Sequence, residues 1–210
     1  MIPLPPAIFG EQRQNSAGIN IDIASEWTPF HAEVQRFLTQ QWQAGPVING
    51  VTQLDGDSHH ANDSGMTVTA PYDRRESVGH VAFASAQQVD AAITVAQAAY
   101  PAWANRPVAE RAACLVRLAD LLEAHTGELV ALCHREAGKT LHDGIDEIRE
   151  AVDFCRFYAQ QASQQFAAPQ TVTGYDGTVR TVYQQGRGVF ACISRGTSRW
   201  RFFWGKCPQH

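Results

Sequence analysis

The residues of this chain that could do chemistry occur in a few short stretches, two of which are rich in glycine. Gly138-Lys139-Thr140 has the ending of a phosphate-binding loop, but such a loop needs a glycine five residues before its Gly-Lys pair, where this chain has Cys133. Gly186-Arg187-Gly188 is not a dinucleotide-binding turn, because Ala191 stands where the third glycine would be. We therefore predict a helix end at the first stretch and a loop that leads into a strand at the second.

Histidine and carboxylate side chains are the candidate metal ligands and acid–base groups. His59 and His60 lie in a polar segment with three aspartates, but their spacing matches no structural zinc pattern, so we predict a solvated loop and no metal site. Glu136, Glu147 and Glu150 lie on predicted helices beside arginines. From the pattern alone, we expect these carboxylates to be solvated or paired with those arginines.

The composition of the 210 residues, 44% hydrophobic and 18% charged, is that of a globular protein. The formal net charge of -4 argues against a nucleic-acid-binding or anionic membrane surface. No apolar run approaches the roughly 20 residues that a transmembrane segment needs, and the N-terminus lacks the pattern of a signal peptide. The five cysteines are scattered and form no C-x-x-C pair, which indicates reduced thiols and a cytoplasmic location.

The first half of the chain contains a connector, a helix and two strands in our prediction. Residues 1–25 carry three early prolines and read as an extended connector with little core of its own. Apolar residues at near-helical spacing predict a helix over residues 26–43. Residues 44–66 read as a loop, and residues 66–70 and 77–83 as two short strands.

Four amphipathic helices follow, and we expect them to share one core. Ser85 and Gln88 form a capping box at the first helix, Gly138 suits the end of the third, and Thr140 with Asp143 can cap the fourth. The predicted apolar stripes of the helices are, in order, Val89, Ile93, Ala96 and Tyr100; Val108, Ala112, Leu115, Ala119 and Leu122; Leu129, Leu132 and Cys133; and Ile145, Ile148, Val152, Cys155 and Ala159.

The pattern changes from helix to strand at Pro169. Asp176-Gly177 is a strong hairpin signal, and alternating residues follow it, so residues 169–186 are predicted to form a hairpin. Residues 189–193 are short and continuously apolar, as in a parallel strand that is covered on both faces. We therefore predict a buried strand within residues 187–194.

Several segments of the helical region resemble, in the right order, the N-terminal part of the aldehyde dehydrogenase superfamily. These segments are residues 98–104, 107–113, 118–123, 135–140, 147–154 and 158–159, and residues 188–194 resemble the first strand of the family's cofactor domain. The resemblance implies an α/β fold of the aldehyde dehydrogenase type. Of that fold the chain would hold the helical part (residues 26–168), an oligomerisation-type hairpin (169–186) and the first strand of the Rossmann-like cofactor domain (187–194).

The connector resembles one particular family within the superfamily. Residues 3–18 and 149–154 are similar to the bifunctional proline utilization A family, in which this connector joins two catalytic domains. The downstream domain there resembles pyrroline-5-carboxylate dehydrogenase, which oxidises glutamate semialdehyde to glutamate with NAD. FAD belongs to the upstream proline dehydrogenase domain, which this sequence does not include. The resemblance also implies a homo-oligomer, with residues 178–183 in the contact.

The resemblance assigns roles to three residues of this chain. Ile193 and Ser194 match the edge of the turn that binds the cofactor. Glu150 aligns with a helix glutamate that faces the amino group of the semialdehyde substrate. In the family, a Cys thiolate attacks the aldehyde and a Glu activates the water that releases the acid. Both lie downstream of the matched region, so we expect this chain to contain no catalytic residue.

Residues 195–210 continue no pattern that precedes them. If one base is restored after the Ser194 codon, the shifted frame must read Pro, Trp, four constrained residues and Ala, and Pro-Trp-Asn-Phe-Pro-Leu-Ala satisfies every constraint. That sequence is the family's cofactor-turn motif, whose Asn belongs to the oxyanion hole and would stand where Thr197 is now. We therefore expect a frameshifted tail, in which Cys207 is not the nucleophile, and no catalysis by this chain.

Two other interpretations stay open on the sequence. The chain could be a non-catalytic helical interaction module or a pseudogene product that binds a partner through its helix faces and hairpin. It could also be a fragment of another branch of the superfamily, although the connector argues against that branch.

Overall fold

The computed structural model describes residues 3–54 and 65–193 of the chain. The predicted polar loop with His59 and His60, residue Ser194 and the tail 195–210 lie outside these ranges. A short 3-10 helix comes first, and the elements then follow in chain order: Pro5–Ala7, α1 (Ala24–Phe37), β1 (Trp42–Ala44), β2 (Val47–Ile48), β3 (Val51–Thr52), β4 (Met66–Thr69), β5 (Ser77–Val81), α2 (Ala86–Ala104), α3 (Val108–Ala124), α4 (Thr126–Ala137), α5 (Leu141–Gln165), β6 (Gln170–Thr173) and β7 (Val179–Val182).

These elements form two compact units, which we describe separately. Unit 1 contains the described residues of the segments 1–17, 100–124 and 149–210, and unit 2 those of the segments 18–99 and 125–148. Helix α3 and the hairpin of β6 and β7 therefore belong to unit 1, whereas α1, α4 and strands β1–β5 belong to unit 2. The residues of α5 are divided between the two units at Ile148 and Arg149.

Unit 2 is built on a mixed sheet in the order β1-β5-β4. β5 pairs in parallel with β1 and antiparallel with β4, and the register of the second pair shifts at Val68 and Thr69. Gly79 faces Trp42 across the parallel pair, where the Trp42 carbonyl leaves no room for a Cβ. The buried apolar side chains of this unit are Phe30, Val34, Ala70, Val78, Ala82, Val130, Ala131, Cys133, Ile145 and Ile148.

Unit 1 has a core of small side chains from α3 and α5, together with an exposed hairpin. The buried residues are Ala112, Ala119, Leu122, Ala151, Val152, Cys155 and Ala159, most of which continue the predicted stripes. β6 and β7 pair antiparallel around Asp176-Gly177, as the sequence predicts, and every residue of both strands is exposed.

The three predicted helix caps are present. The Ser85 amide donates to Gln88 Oε1 at 2.9 Å, and the Gln88 amide donates to Ser85 Oγ at 3.2 Å. Gly138 ends α4 with a left-handed φ of 67°. The Asp143 amide donates to Thr140 Oγ1 at 3.1 Å ahead of α5. The sequence therefore predicted all three caps correctly, because each depends on residues that are close together in the chain.

The predicted helix over residues 26–43 is too long. α1 ends at Phe37, and Trp42 lies in β1, where its indole Nε1 donates to Glu128 at 3.0 Å. The predicted loop over 44–66 also contains a small hairpin of β2 and β3, whose turn uses the positive φ of Asn49 and Gly50. Trp42 has the spacing of a helical residue, but its segment pairs with β5 instead. The tight turn at Asn49 and Gly50 likewise forms a hairpin within the predicted loop.

Two further packing predictions are wrong. No residue of α2 is buried, and Val89 and Ile93 of its apolar stripe are exposed, so the four helices do not share one core. Residues 187–193 form no strand, and Val189, Phe190 and Ile193 are exposed. A parallel strand requires paired neighbours and covered faces, and no strand of the described ranges pairs with this segment.

Candidate functional site

Glu150 lies on α5 in unit 1, where its side chain is half-buried. Asp153 is three residues further along, and i, i+3 positions of a helix lie on the same face. The Ser16 amide donates to Asp153 Oδ1 at 2.7 Å, and Ser16 is only 2% exposed. The connector therefore docks on α5 one helical turn from Glu150, although none of its described apolar side chains is buried.

A second contact fixes the connector close to Ser16. The Arg13 guanidinium carbon lies 4.1 Å from the ring centroid of Phe9 and 5.2 Å from that of Phe157 on α5. Cation–π contacts of this kind are strongest where the ring and the cation are shielded from water. Residues 9–16 are thus held against the helix that carries Glu150 by a hydrogen bond and by stacking.

Glu147 and Lys139 form a half-buried ion pair in unit 2. Lys139 Nζ donates to Glu147 Oε1 at 2.8 Å. The lysine follows the left-handed Gly138, and its carbonyl oxygen lies 2.8 Å from His134 Nδ1. The Gly138-Lys139-Thr140 stretch is thus a helix end and a new helix start, as predicted, and its lysine binds a carboxylate of the following helix.

Arg135 is the buried charged residue that the sequence analysis missed. Its side chain is 3% exposed; Nε donates to Glu76 Oε1 at 2.8 Å and Nη2 to the Ser77 carbonyl at 2.9 Å, while Nη1 donates to the Gln40 carbonyl. The guanidinium also lies over the Trp42 ring, 5.3 Å from its centroid. Arg135 is one of the arginines that we expected to pair with a carboxylate on the predicted helices. Its ion pair in the structure is with Glu76, directly before β5. No local pattern marks these partners, which lie 58 to 95 residues away.

The predicted cofactor edge is not an enclosed site. The Ile193 side chain is 80% exposed, and the segment that leads to it forms no strand. Ser194 lies outside the described residues. A nicotinamide cofactor binds in a crevice at the carboxyl ends of parallel strands, and residues 187–193 provide no such edge. The described residues alone therefore do not fit NAD.

The most deeply buried of the described cysteines, Cys155, is not an activated nucleophile. Cys155 is fully buried, and desolvation raises the pKa of its thiol to about 11, so it is not a thiolate at neutral pH. Cys114 is exposed on α3 without a nearby histidine in the contacts of that helix, and it donates weakly to the Glu110 carbonyl. Cys207 lies outside the described ranges.

Neither a membrane-spanning helix nor a cluster of metal ligands occurs among the described residues. No helix among them is both long enough and apolar enough to pass through a bilayer. No three His, Cys, Asp or Glu side chains among them lie close enough together to hold a metal ion.

The sequence comparisons identify the family. The family model described as "Aldehyde dehydrogenase family" matches residues 58–195, well over half of the chain. The chain is also 35% identical over 166 residues to the "Bifunctional protein PutA" of Escherichia coli. The aligned region is 79% of this chain but only 12% of that relative, so the chain spans a small part of its length.

The structural comparisons agree with the sequence match. The crystal structure of proline utilization A from Bdellovibrio bacteriovorus superposes with a TM-score of 0.81 at 25% identity, over 92% of this chain and 20% of that one. The fold of 1-pyrroline-5-carboxylate dehydrogenase from Thermus thermophilus is similar, with a TM-score of 0.67 at 24% identity over 78% of this chain and 31% of that one. On the sequence match and these superpositions, the chain belongs to the aldehyde dehydrogenase family.

Proposed function

We propose that this chain corresponds to the N-terminal segment of an NAD-dependent dehydrogenase that oxidises glutamate semialdehyde to glutamate in proline catabolism. The observation that carries the proposal is the extent of the match. The bifunctional proline utilization A structure covers 92% of this chain, whereas the pyrroline-5-carboxylate dehydrogenase covers 78%. The family model begins only at residue 58. The match to the bifunctional enzyme therefore extends beyond the common family region.

Docking of the connector supports the assignment of Glu150 to the substrate. Asp153 and the stacked Arg13 hold residues 9–16 on the helix turn that follows Glu150. A carboxylate that faces an ammonium group must be held in place to discriminate between aldehydes, because a misplacement of about 1 Å costs roughly 100-fold in rate. In the proposed function, Glu150 binds the substrate amino group, and the Ser16–Asp153 contact positions the helix that carries it.

The chain by itself is proposed to be inactive. The family's chemistry requires a nucleophilic thiolate, a general base and an oxyanion hole, and residues 195–210 do not continue the family pattern. The family match ends at residue 195, next to the position where we infer a lost base. This coincidence supports the proposed frameshift after Ser194.

A second candidate function is a non-catalytic interaction module. The observation that favours it is the hairpin of β6 and β7, in which Val172, Val179, Val182 and Tyr183 are exposed. Exposed apolar strands commonly pair with another chain. In this proposal the chain binds a second copy of itself or an intact dehydrogenase through the hairpin, which resembles the hairpin of family oligomerisation.

An activity measurement tests the proposed inactivity, and a binding measurement tests the interaction module. The purified chain, incubated with glutamate semialdehyde and NAD, should produce no NADH, since loss of even one oxyanion-hole donor costs about 100- to 1,000-fold. Turnover that persists through further purification would refute the proposed inactivity. A stable complex with an intact dehydrogenase, lost when Val179 and Val182 are both changed to Thr, would favour the interaction module.

The gene sequence tests the proposed frameshift and the proposed origin of the chain as a dehydrogenase segment. Restoring one base after the Ser194 codon should open a long reading frame that contains a Cys nucleophile and a Glu base. A stop codon soon after the restored base would end the frameshift proposal. The encoded protein with the restored frame, carrying Glu150→Gln, should then lose affinity for glutamate semialdehyde while it still oxidises an aldehyde without an amino group.

A further inference from the structure

Unit 1 contains an open cleft of about 1000 Å³ between the connector and helices α3 and α5. The connector contributes Gln12, Arg13 and Gln14, and the two helices contribute the rest of the wall. This volume lies at the upper end of what small-molecule sites usually have. The cleft is separate from Glu150 and Ile193, neither of which lines it.

The lining of the cleft consists of small apolar side chains, which we call the floor, and polar side chains, which we call the rim. Small residues at the floor are Ala109, Ala112, Ala113, Val116 and Ala159. The rim holds three guanidinium groups, from Arg13, Arg117 and Arg156, and four glutamine amides. A small apolar floor with a few convergent polar groups is the usual constitution of a ligand site.

Arg13 has a donor without an acceptor. Its Nε atom is buried and makes no hydrogen bond within the described part of the chain. The stacking of its guanidinium against Phe9 and Phe157 restricts the plane of the group. The buried Nε cannot be reached from the cleft, so a carboxylate would accept from the two Nη atoms, in the bidentate geometry that guanidinium groups favour.

The charges of the cleft favour a singly charged anion. Arg156 donates to Asp120 at 3.0 Å and to Glu123 at 2.6 Å, so its charge is already compensated. Arg117 has no ion pair among the described residues. Two guanidinium groups, Arg13 and Arg117, thus remain for a ligand, while the Asp120 carboxylate in the same wall would repel a polyanion.

We propose that this cleft binds an aliphatic carboxylate, with its carboxylate on Arg13 and Arg117 and its hydrocarbon body on the alanine floor. The proposal does not depend on the function proposed above. The glutamine amides of the rim supply donors and acceptors for a polar substituent on such a ligand. An inorganic anion would pair with the arginines but leave the apolar floor in water, and a neutral molecule would leave the charges of Arg13 and Arg117 without a counter-ion.

Ligand-observed NMR titration of the full 210-residue chain tests the proposal with three probes. Pentanoate should bind, and pentanamide, which has the same hydrocarbon body without the charge, should bind at least about tenfold more weakly. Inorganic phosphate should also bind more weakly than pentanoate. Equal affinity for pentanoate and pentanamide, or for pentanoate and phosphate, would overturn the proposal, as would no binding of pentanoate.

Variants locate the binding in the cleft. Arg117→Gln and Arg13→Lys should each weaken pentanoate binding about tenfold, the second because lysine keeps the charge but loses the planar donor pair. Ala113→Leu should occlude the floor. Arg180→Gln, an equal charge change on the exposed strand β7, is the matched control and should leave binding unchanged.

A structural effect of these substitutions is excluded by a second measurement. Far-UV circular dichroism should be the same for Arg117→Gln, Arg180→Gln and the unmodified chain, since both arginines are exposed. If Arg13→Lys disturbs the connector, Arg117→Gln still decides the outcome. Equal loss of affinity in Arg117→Gln and Arg180→Gln would show that binding is a general charge effect and would overturn the cleft site.

Discussion

Arg135 shows how a single residue organises unit 2. A guanidinium can donate five hydrogen bonds in a fixed plane, and Arg135 uses this capacity to join β5, through Ser77, to the segment before β1, through Gln40. Its ion pair with Glu76 adds a charge-assisted bond. The Arg135 side chain is 3% exposed and Glu76 is 35% exposed. Loss of the arginine removes the donor to the half-buried Gln40 carbonyl and one of the two donors to the Ser77 carbonyl, which also accepts from Gln41, while the Glu76 carboxylate can partly hydrate.

Arg135→Met should therefore destabilise unit 2 by about 3 kcal/mol, at the lower end of the range for breaking a buried ion pair. Hydrogen exchange of amides in β5 measures the effect. The control is Arg75→Met: Arg75 is 91% exposed and donates to Asp73 at 2.8 Å, a surface pair that should contribute little. Equal effects of the two substitutions on β5 would contradict this account of Arg135.

Cys155 gives the chain a pH dependence at high pH. Burial raises the pKa of its thiol from 9.0 to about 11, so the native state holds this proton more tightly than the unfolded chain does. The contribution of the neutral thiol to stability is complete below about pH 9 and is lost as the pH rises towards about 11.

The stability difference between the unmodified chain and Cys155→Ala should therefore decrease between pH 9.0 and about 11. The other titratable groups are present in both proteins, so their contributions cancel in the difference. Urea titrations followed by far-UV circular dichroism give the urea concentration of half-maximal helix loss for each protein at each pH, and comparing these values does not require a steep transition. A difference that stays constant across this range would show that the thiol does not remain buried and neutral in the native state.

At the level of elements, the sequence predicts what depends on local chemistry. The capping boxes, the left-handed Gly138 and the Asp176-Gly177 hairpin are formed as expected, because each depends on residues within a few positions of one another. The parallel pairing of Trp42 with Gly79 was not predictable, because it depends on a partner 37 residues away. The exposure of α2 and the absence of a strand over residues 187–193 depend on what covers them, which periodicity does not encode.

The same distinction applies to the site: the sequence resemblance pointed to Glu150, but neither the docking of Ser16 on Asp153 nor the Arg13 stack had a local signal.

The α4–α5 junction provides a test of one local element. Gly138→Ala should cost more than Gly177→Ala, although both glycines have positive φ, 67° and 80°. Each substitution incurs about 1–2 kcal/mol for a left-handed alanine, but a Cβ at Gly138 would lie 3.0 Å from Pro71 Cγ, whereas one at Gly177 meets nothing within 4 Å. Hydrogen exchange in the last turn of α4 and in β7 measures each locally. A larger effect at Gly177 would show that Pro71 gives way without cost.

At the level of the whole molecule, the main feature is the amount of apolar surface left exposed in the described residues. α2 buries no side chain, β6 and β7 are fully exposed, and Val189, Phe190 and Ile193 add to this surface. Exposed apolar patches of this kind mark interaction sites or lead to aggregation. The relatives have far more chain for such surfaces to contact, since the aligned region is 12% of the Escherichia coli protein.

We therefore expect the isolated chain to show helical circular dichroism without a steep cooperative melt, to bind a hydrophobic dye strongly, and to associate in solution. Residues 187–210 end in a sequence that includes Trp200, Phe202, Phe203 and Trp204, so deleting them should lower both dye binding and association. Val179→Thr on the exposed strand β7 keeps the tail and serves as the comparison: it should reduce association only to the extent that the hairpin contributes. Dye fluorescence, size-exclusion chromatography with light scattering, and thermal melts measure the three properties.

A monodisperse monomer with a single steep transition would contradict this expectation. It would show that the chain is a self-sufficient domain, stable with its apolar surface exposed, and it would favour the interaction-module function over that of a dehydrogenase segment.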